Sequence, residues 1–113
     1  MSCIFCQIAA KEIPSELLYE DDELIAFRDI NPRPAVHILI VPRKHIADLN
    51  ELSDEDTSIM GKMTIVAKAL AQQEGIAEKG YRITTNCGAE GGQVVPHLHM
   101  HLLGGQRLSD QLG

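Results

Sequence analysis

Pro96-His97-Leu98-His99-Met100-His101-Leu102-Leu103 alternates imidazole and aliphatic side chains from residue 97 to residue 102. On a β-strand successive side chains point to opposite faces, so His97, His99 and His101 share one face while Leu98, Met100 and Leu102 share the other. On a helix the same residues scatter around the axis. The stretch therefore predicts a strand over Leu98–Leu103, with an aliphatic face to bury and a row of imidazoles facing a site. The chain supplies a cover for the aliphatic face. Ile59, Met63, Val66, Ala67 and Leu70 recur every three to four residues, which predicts an amphipathic helix from about Asp54 to Glu74. Ser53 stands at its N-cap, Asp54, Glu55 and Asp56 favour the positive end of the helix dipole, and Gly75 stops it.

Working outward, Leu17–Glu20 and Glu23–Arg28 flank an acidic turn at Asp21-Asp22 and predict a hairpin. His37–Val41 is a further strand, stopped by Pro42, and Tyr81–Cys87 completes five strands. Asn31-Pro32-Arg33-Pro34 reads as a stiff loop, because each proline fixes its own φ and restricts its predecessor. A short helix is expected over Ile4–Ala10. Hairpin-length links and one long helix predict an antiparallel α+β sheet in one domain covering residues 1–113.

Composition narrows the partners. The 113 residues carry Lys+Arg 10 against Asp+Glu 16, a net charge of −6, which argues against duplex DNA or an anionic membrane. With no Trp and only Phe5, Phe27, Tyr19 and Tyr81 as aromatics, a stacking platform for single-stranded nucleic acid is not expected either. The N-terminal stretch contains Lys11, Glu12 and Pro14 where a leader peptide needs an apolar run, and no stretch approaches the ~20 apolar residues of a membrane helix. Three cysteines, Cys3, Cys6 and Cys87, two of them in a C-x-x-C, fit a reducing cytoplasm.

The imidazole row needs a chemistry. Three imidazoles on one strand are about 6.8 Å apart per step, too far to close on one ion, whereas a row suits an extended ligand. Just before it, Gly88-Ala89-Glu90-Gly91-Gly92-Gln93 can bring backbone amides close to a ligand, as phosphate-cradling loops do, although a tight turn reads equally well. Together they suggest phosphate chemistry: one neutral imidazole attacks phosphorus while others donate to its oxygens.

These residues carry a resemblance. His97-Leu98-His99-Met100-His101-Leu102-Leu103 is similar to the motif of the histidine triad (HIT) superfamily, His-φ-His-φ-His-φ-φ with φ hydrophobic. Within it the chain resembles the Hint-type branch of purine nucleoside phosphoramidases. The likeness extends over Ile4-Phe5, Glu12-Ile13-Pro14, Glu20-Asp21-Asp22, Ala26 to Ile30, His37 to Pro42, Gly91-Gly92-Gln93 and the Leu102-Leu103-Gly104-Gly105 ending. It implies a five-stranded antiparallel α+β protomer that dimerises into a ten-stranded sheet. It implies His99 as nucleophile on the α-phosphorus, His97 supporting it through its backbone carbonyl, His101 on the phosphate oxygens and His37 beside the phosphate. It further implies Asp29 on the ribose hydroxyls, Phe5, Ile8, Phe27, Ile30 and Leu39 lining base and ribose, and Asn86, Gly92 and Val94 along the phosphate path. Departures from the pattern are Val94, where many members have a polar residue, Pro96 in place of the usual Tyr, and a short tail from Gln106 to Gly113 without the aromatic of animal members.

Cys3-Ile4-Phe5-Cys6 stands outside that scheme. No strand precedes it, so a thioredoxin-like role does not fit. Several HIT proteins pair such a C-x-x-C with a histidine after the central strand and the first triad histidine to hold structural zinc. The matching positions here are Cys3, Cys6, His45 and His97, a complete Cys2His2 set. The alternative is two small thiols without metal.

The expected function is hydrolysis of a purine nucleoside 5′-phosphoramidate, or an aminoacyl-adenylate-type compound, to a nucleoside 5′-monophosphate such as AMP or GMP. Dinucleoside polyphosphate hydrolysis and a non-catalytic nucleotide-binding or interaction module are the alternatives.

Overall fold

Five strands, β1 (Leu17–Glu20), β2 (Leu24–Arg28), β3 (Val36–Pro42), β4 (Arg82–Thr84) and β5 (Met100–Gly104), pair antiparallel throughout in the order β1-β2-β3-β5-β4, with the long helix carrying the chain from β3 to β4. The computed structural model describes residues 3–30 and 35–111; the loop expected at 31–34 lies outside them. In chain order the elements are α1 (Ile4–Ala9), β1 (Leu17–Glu20), β2 (Leu24–Arg28), β3 (Val36–Pro42), two single 3-10 turns at Leu49–Glu51 and Asp54–Asp56, α2 (Thr57–Gln73), β4 (Arg82–Thr84) and β5 (Met100–Gly104). The β1–β2 turn is held by Asp21, whose Oδ1 accepts from the backbone N–H of Glu23 and Leu24 at 2.8 Å each. An Asx-type bond of this kind is the reason aspartate favours turns.

Both faces of the sheet are covered, so β2 and β3 read as continuous apolar runs whose alternate residues go to different cores. Leu24, Ala26, Ile38, Ile40, Met100 and Leu102 face α2 and pack on its Met63, Val66, Ala67 and Leu70. Ile25, Phe27, Leu39 and Val41 face the opposite way and pack on Phe5 and Ile8 of α1. Full burial of a side chain such as Leu102 or Ile40 contributes roughly 1.5–3 kcal/mol.

The long helix begins later than expected. Its first turn is 3-10, with the Asp56 carboxylate accepting from Ser53 N–H at 3.0 Å and Ser53 Oγ–H at 3.3 Å, and regular α-helix starts at Thr57. Gly75, at φ +75, terminates it as its residue type predicts.

The largest departure concerns the decisive stretch itself. Only Met100 onward joins the ladder; His97, Leu98 and His99 precede it. Two prolines explain this. Pro42 has no N–H to continue β3, and Pro96 has none to begin the facing strand. The backbone finds other partners: His97 N–H donates to Val95 O at 2.8 Å and Leu98 N–H to Ile46 O at 2.6 Å. β4 is likewise shorter than Tyr81–Cys87, because the chain turns at Asn86 into the glycine loop.

Candidate active site and Cys2His2 cluster

The histidines are strung along β3 and the approach to β5, with His37 and His101 beside one end of β3 and His97 and His45 beyond the other. His99 is 7% exposed, and its Nδ1 lies 2.7 Å from the backbone oxygen of His97. A carbonyl can only accept, so Nδ1 carries the proton and Nε2 keeps its lone pair. That Nε2 has no hydrogen-bond partner among the described residues, yet it is not one of the buried unpartnered atoms, so it reaches solvent. The Phe5 ring stands edge-on to the His99 ring at 5.0 Å between centroids.

His101 follows at 4.9 Å from the His99 ring. Its Nδ1 lies 2.9 Å from His37 Nε2, so one proton is shared along a bond between the two rings. The ladder dictates this meeting: Leu39 pairs with His101, and His37 sits on the same face two residues earlier. Burial, with the neighbouring His99 and His37 rings, pushes His101 down to about 4, against a smaller upward pull from Asp29. His101 is thus neutral at pH 7. His37 Nδ1 is buried, and its nearest charge is Asp29 Oδ2 at 3.6 Å, a charge contact too long for a hydrogen bond.

Phe5, Ile8, Phe27 and Leu39, expected around the base and ribose, form one buried cluster beside these rings. Asp29 is at the end of that cluster, next to His37. Ile30 is not gathered in; it is 91% exposed, as Val94 is at 88%. The glycine loop is tightly built. Asn86 Nδ2–H donates to Gly91 O at 2.7 Å, a Cβ on Gly91 would collide with Cys87 O, and Gly92 holds φ +81. Gln93 ties the loop down, donating to Ala47 O at 2.7 Å and Val95 O at 3.0 Å while accepting from Gly88 N–H at 2.9 Å. Sequence reasoning missed Gln93 as an organiser and the Pro42 carbonyl described next. Gln93 was named only as part of the glycine loop and of the stretch that carries the resemblance, and a backbone carbonyl carries no side-chain signal.

His97 lies behind His99, against the same Phe5 ring at 5.8 Å. Its ring is 0% exposed, with Nε2–H donating to Pro42 O at 2.8 Å. That bond leaves Nδ1 as the free lone pair, 3.2 Å from Cys3 Sγ and 3.6 Å from Cys6 Sγ. His45 Nδ1 lies 3.4 Å from Cys6 Sγ. All four donor atoms fall within 4.8 Å of one another. Tetrahedral zinc with two sulfur and two nitrogen ligands separates its donors by about 3.3–3.8 Å, so the residues fit that ion. The Pro42 bond is the outer contact that fixes a ligating imidazole's tautomer. A cleft of about 950 Å³ lined by Cys3, Cys6, His45 and Val94 opens onto the cluster, giving an ion an entry path. Burial, then the hydrogen bond and charge of Cys3, raise the Cys6 thiol.

No helix among the described residues is long and apolar enough to cross a membrane. The chain is 50% identical over 109 residues to the purine nucleoside phosphoramidase of Escherichia coli K12, covering 96% of this chain and 92% of that protein. Among solved structures it is similar to a HIT family hydrolase from Legionella pneumophila Philadelphia 1, with TM-score 0.96, 46% identity, and 99% and 100% of the two chains covered. A histidine triad protein from Clostridium difficile gives TM-score 0.95 at 44% identity, covering 99% of this chain and 97% of that one. The HIT domain family matches residues 10–108. With that match spanning most of its length, and the triad arranged as described, this chain is a member of the HIT family.

Proposed function

We propose that the chain is a single-domain purine nucleoside phosphoramidase, hydrolysing purine nucleoside 5′-phosphoramidates or aminoacyl-adenylate-type compounds to AMP or GMP. The observation that carries the reading is the 2.7 Å bond from His99 Nδ1–H to the His97 carbonyl, because it commits Nε2 as a nucleophile. Identity of 50% to a protein named for that activity supports the substrate class.

In this reading Nε2 attacks the α-phosphorus, the bond from phosphorus to the amine nitrogen breaks, and the amine leaves with a proton taken from solvent, to which the water of the second step returns one. Water then attacks the nucleotidyl-histidine, the bond from phosphorus to Nε2 breaks, and the monophosphate departs. The bond between His37 Nε2 and His101 Nδ1 fixes the two rings side by side, and the neutral His101 contacts the phosphate oxygens with His37 beside it. The Gly91 and Gly92 amides are engaged within their own turn, donating to Gly88 O at 3.2 Å and Ala89 O at 3.1 Å, so this loop shapes the phosphate path and does not supply its donors. Asp29 binds the ribose hydroxyls, and the cluster of Phe5, Ile8, Phe27 and Leu39 supplies the apolar wall for the base, with Ile30 closing over it. A protonated amine leaves readily, so the exposed Val94 needs no proton donor in its place.

Cys3, Cys6, His45 and His97 hold one structural zinc, whose chemistry is to fix the thiolates and the His97 ring and not to touch phosphorus. In this reading the enzyme is a cytoplasmic homodimer, and the edge position of β4 supports pairing with its counterpart to extend five strands to ten. Turnover of adenosine and guanosine phosphoramidates, compared with diadenosine polyphosphates and aminoacyl adenylates, tests the assignment. Release of AMP from the phosphoramidate is expected. AMP binding without turnover of any of the three would leave a nucleotide-binding module instead.

A further inference from the structure

Helix α1 is a weak element that carries a strong contact. It has six residues, and isolated helices below ~12–15 residues are marginal in water. Its N-cap, Cys3, makes no side-chain capping bond, and no acidic residue occupies the first turn. Yet it delivers Phe5, whose ring meets Phe27 at 5.7 Å, His97 at 5.8 Å and His99 at 5.0 Å. One side chain thus touches the nucleophile, the ring behind it and the apolar wall.

What keeps α1 in place is remote in sequence. Arg43 Nη1–H donates to Ala9 O at 3.0 Å at its C-terminal end. At the other end, Cys3 and Cys6 bracket Phe5 and reach His97 and His45, 94 and 39 residues away. The two sulfurs lie on the same helix as Phe5, and the imidazole they meet belongs to the residue whose carbonyl holds His99. We infer that Cys3, Cys6 and His45 are positioning residues of the nucleotide site: they latch α1 to the sheet, and through Phe5 and His97 they set the nucleophile's tautomer and the shape of the base wall. This rests on the phosphoramidase reading for its substrate but concerns residues that touch neither nucleotide nor phosphorus.

The latch separates from overall stability for a structural reason. The α2-side core contains no residue of α1, so the sheet keeps its main cover when α1 detaches. Releasing the latch is therefore expected to loosen residues 4–10, expose the His99 ring and weaken nucleotide binding while the folded sheet persists.

The test compares wild-type protein, Cys3→Ala/Cys6→Ala and His45→Ala. Readouts are AMP affinity, amide hydrogen exchange of residues 4–10, and the imidazole ¹⁵N spectrum of His99. The double variant is expected to bind AMP at least tenfold more weakly, to lose protection over α1, and to replace the single Nδ1–H tautomer of His99 by a mixture. His45→Ala, at an exposed position outside the core, is expected to move all three in the same direction by a smaller, several-fold amount. If the double variant does not fold, His45→Ala decides alone. Unchanged affinity and tautomer in a folded variant overturn the latch, whereas wild-type protein that binds AMP tightly but releases none from a phosphoramidate overturns only the activity.

Discussion

The two faces of the sheet are built on different terms. The face under α2 carries the larger apolar core, packed by residues that recur with strand or helix period, and that core holds none of the histidines. The face under α1 has a smaller apolar cluster, and beside it stand five imidazoles and two thiols tied by long-range bonds. One face stores stability, and the other uses it. A seventeen-residue helix on the first face lets the second hold its side chains with a helix of only six.

That division can be broken from either side. Substituting His99→Asn keeps the ring's neighbours and removes the lone pair. Turnover of a purine nucleoside phosphoramidate is expected to fall by at least about 10³-fold with AMP affinity nearly unchanged, as steady-state kinetics and calorimetry would show. On the opposite face Leu102→Ala leaves a cavity beneath α2 and is expected to cost about 2–5 kcal/mol in denaturant unfolding. The rate constant of the folded fraction should stay the same. A loss of activity larger than the loss of folded protein would mean that the two faces are coupled.

How much of this was legible in the sequence follows the same divide. The short apolar runs Leu24–Phe27 and Ile38–Val41, and the helical recurrence of Met63, Val66 and Leu70, are local patterns, so the strands, α2 and the first core could be read directly. The histidine alternation also announced a site. His99 and His101 stand side by side, and Phe5 of α1 meets both His97 and His99, although the ladder itself begins only at Met100 because two prolines interrupt it. The Cys2His2 grouping reached the page through family resemblance, since ligands 94 residues apart have no local spacing. The exposure of Ile30 and Val94 could not be read from residue type, which favours burial for both.

Smaller effects sharpen the contrast. His101 is held neutral, its pKa moved from the ordinary 6.5 to about 4, so the unfolded chain takes up a proton that the folded chain refuses between those values. Stability should therefore be unaffected by this group above pH 6.5 and decline as pH falls toward 4, by up to about 3 kcal/mol. Unfolding curves of wild-type protein and His101→Asn across that range would isolate the contribution, and the variant should show the shallower slope. On the α2 side, Arg28 forms a bidentate pair with Glu74, both bonds 2.8 Å, which raises the already high guanidinium pKa. Glu74→Gln is expected to lower stability by about 1 kcal/mol, and less at high salt, without altering AMP binding.

The stereochemical course at phosphorus tests the nucleophilic role of His99 most directly. Hydrolysis of a P-chiral adenosine 5′-phosphoramidothioate in ¹⁸O-labelled water involves two in-line displacements if the imidazole attacks first, and the account predicts net retention of configuration. Inversion would mean that water displaces the amine in one step, and His99 would then have no covalent part in the reaction.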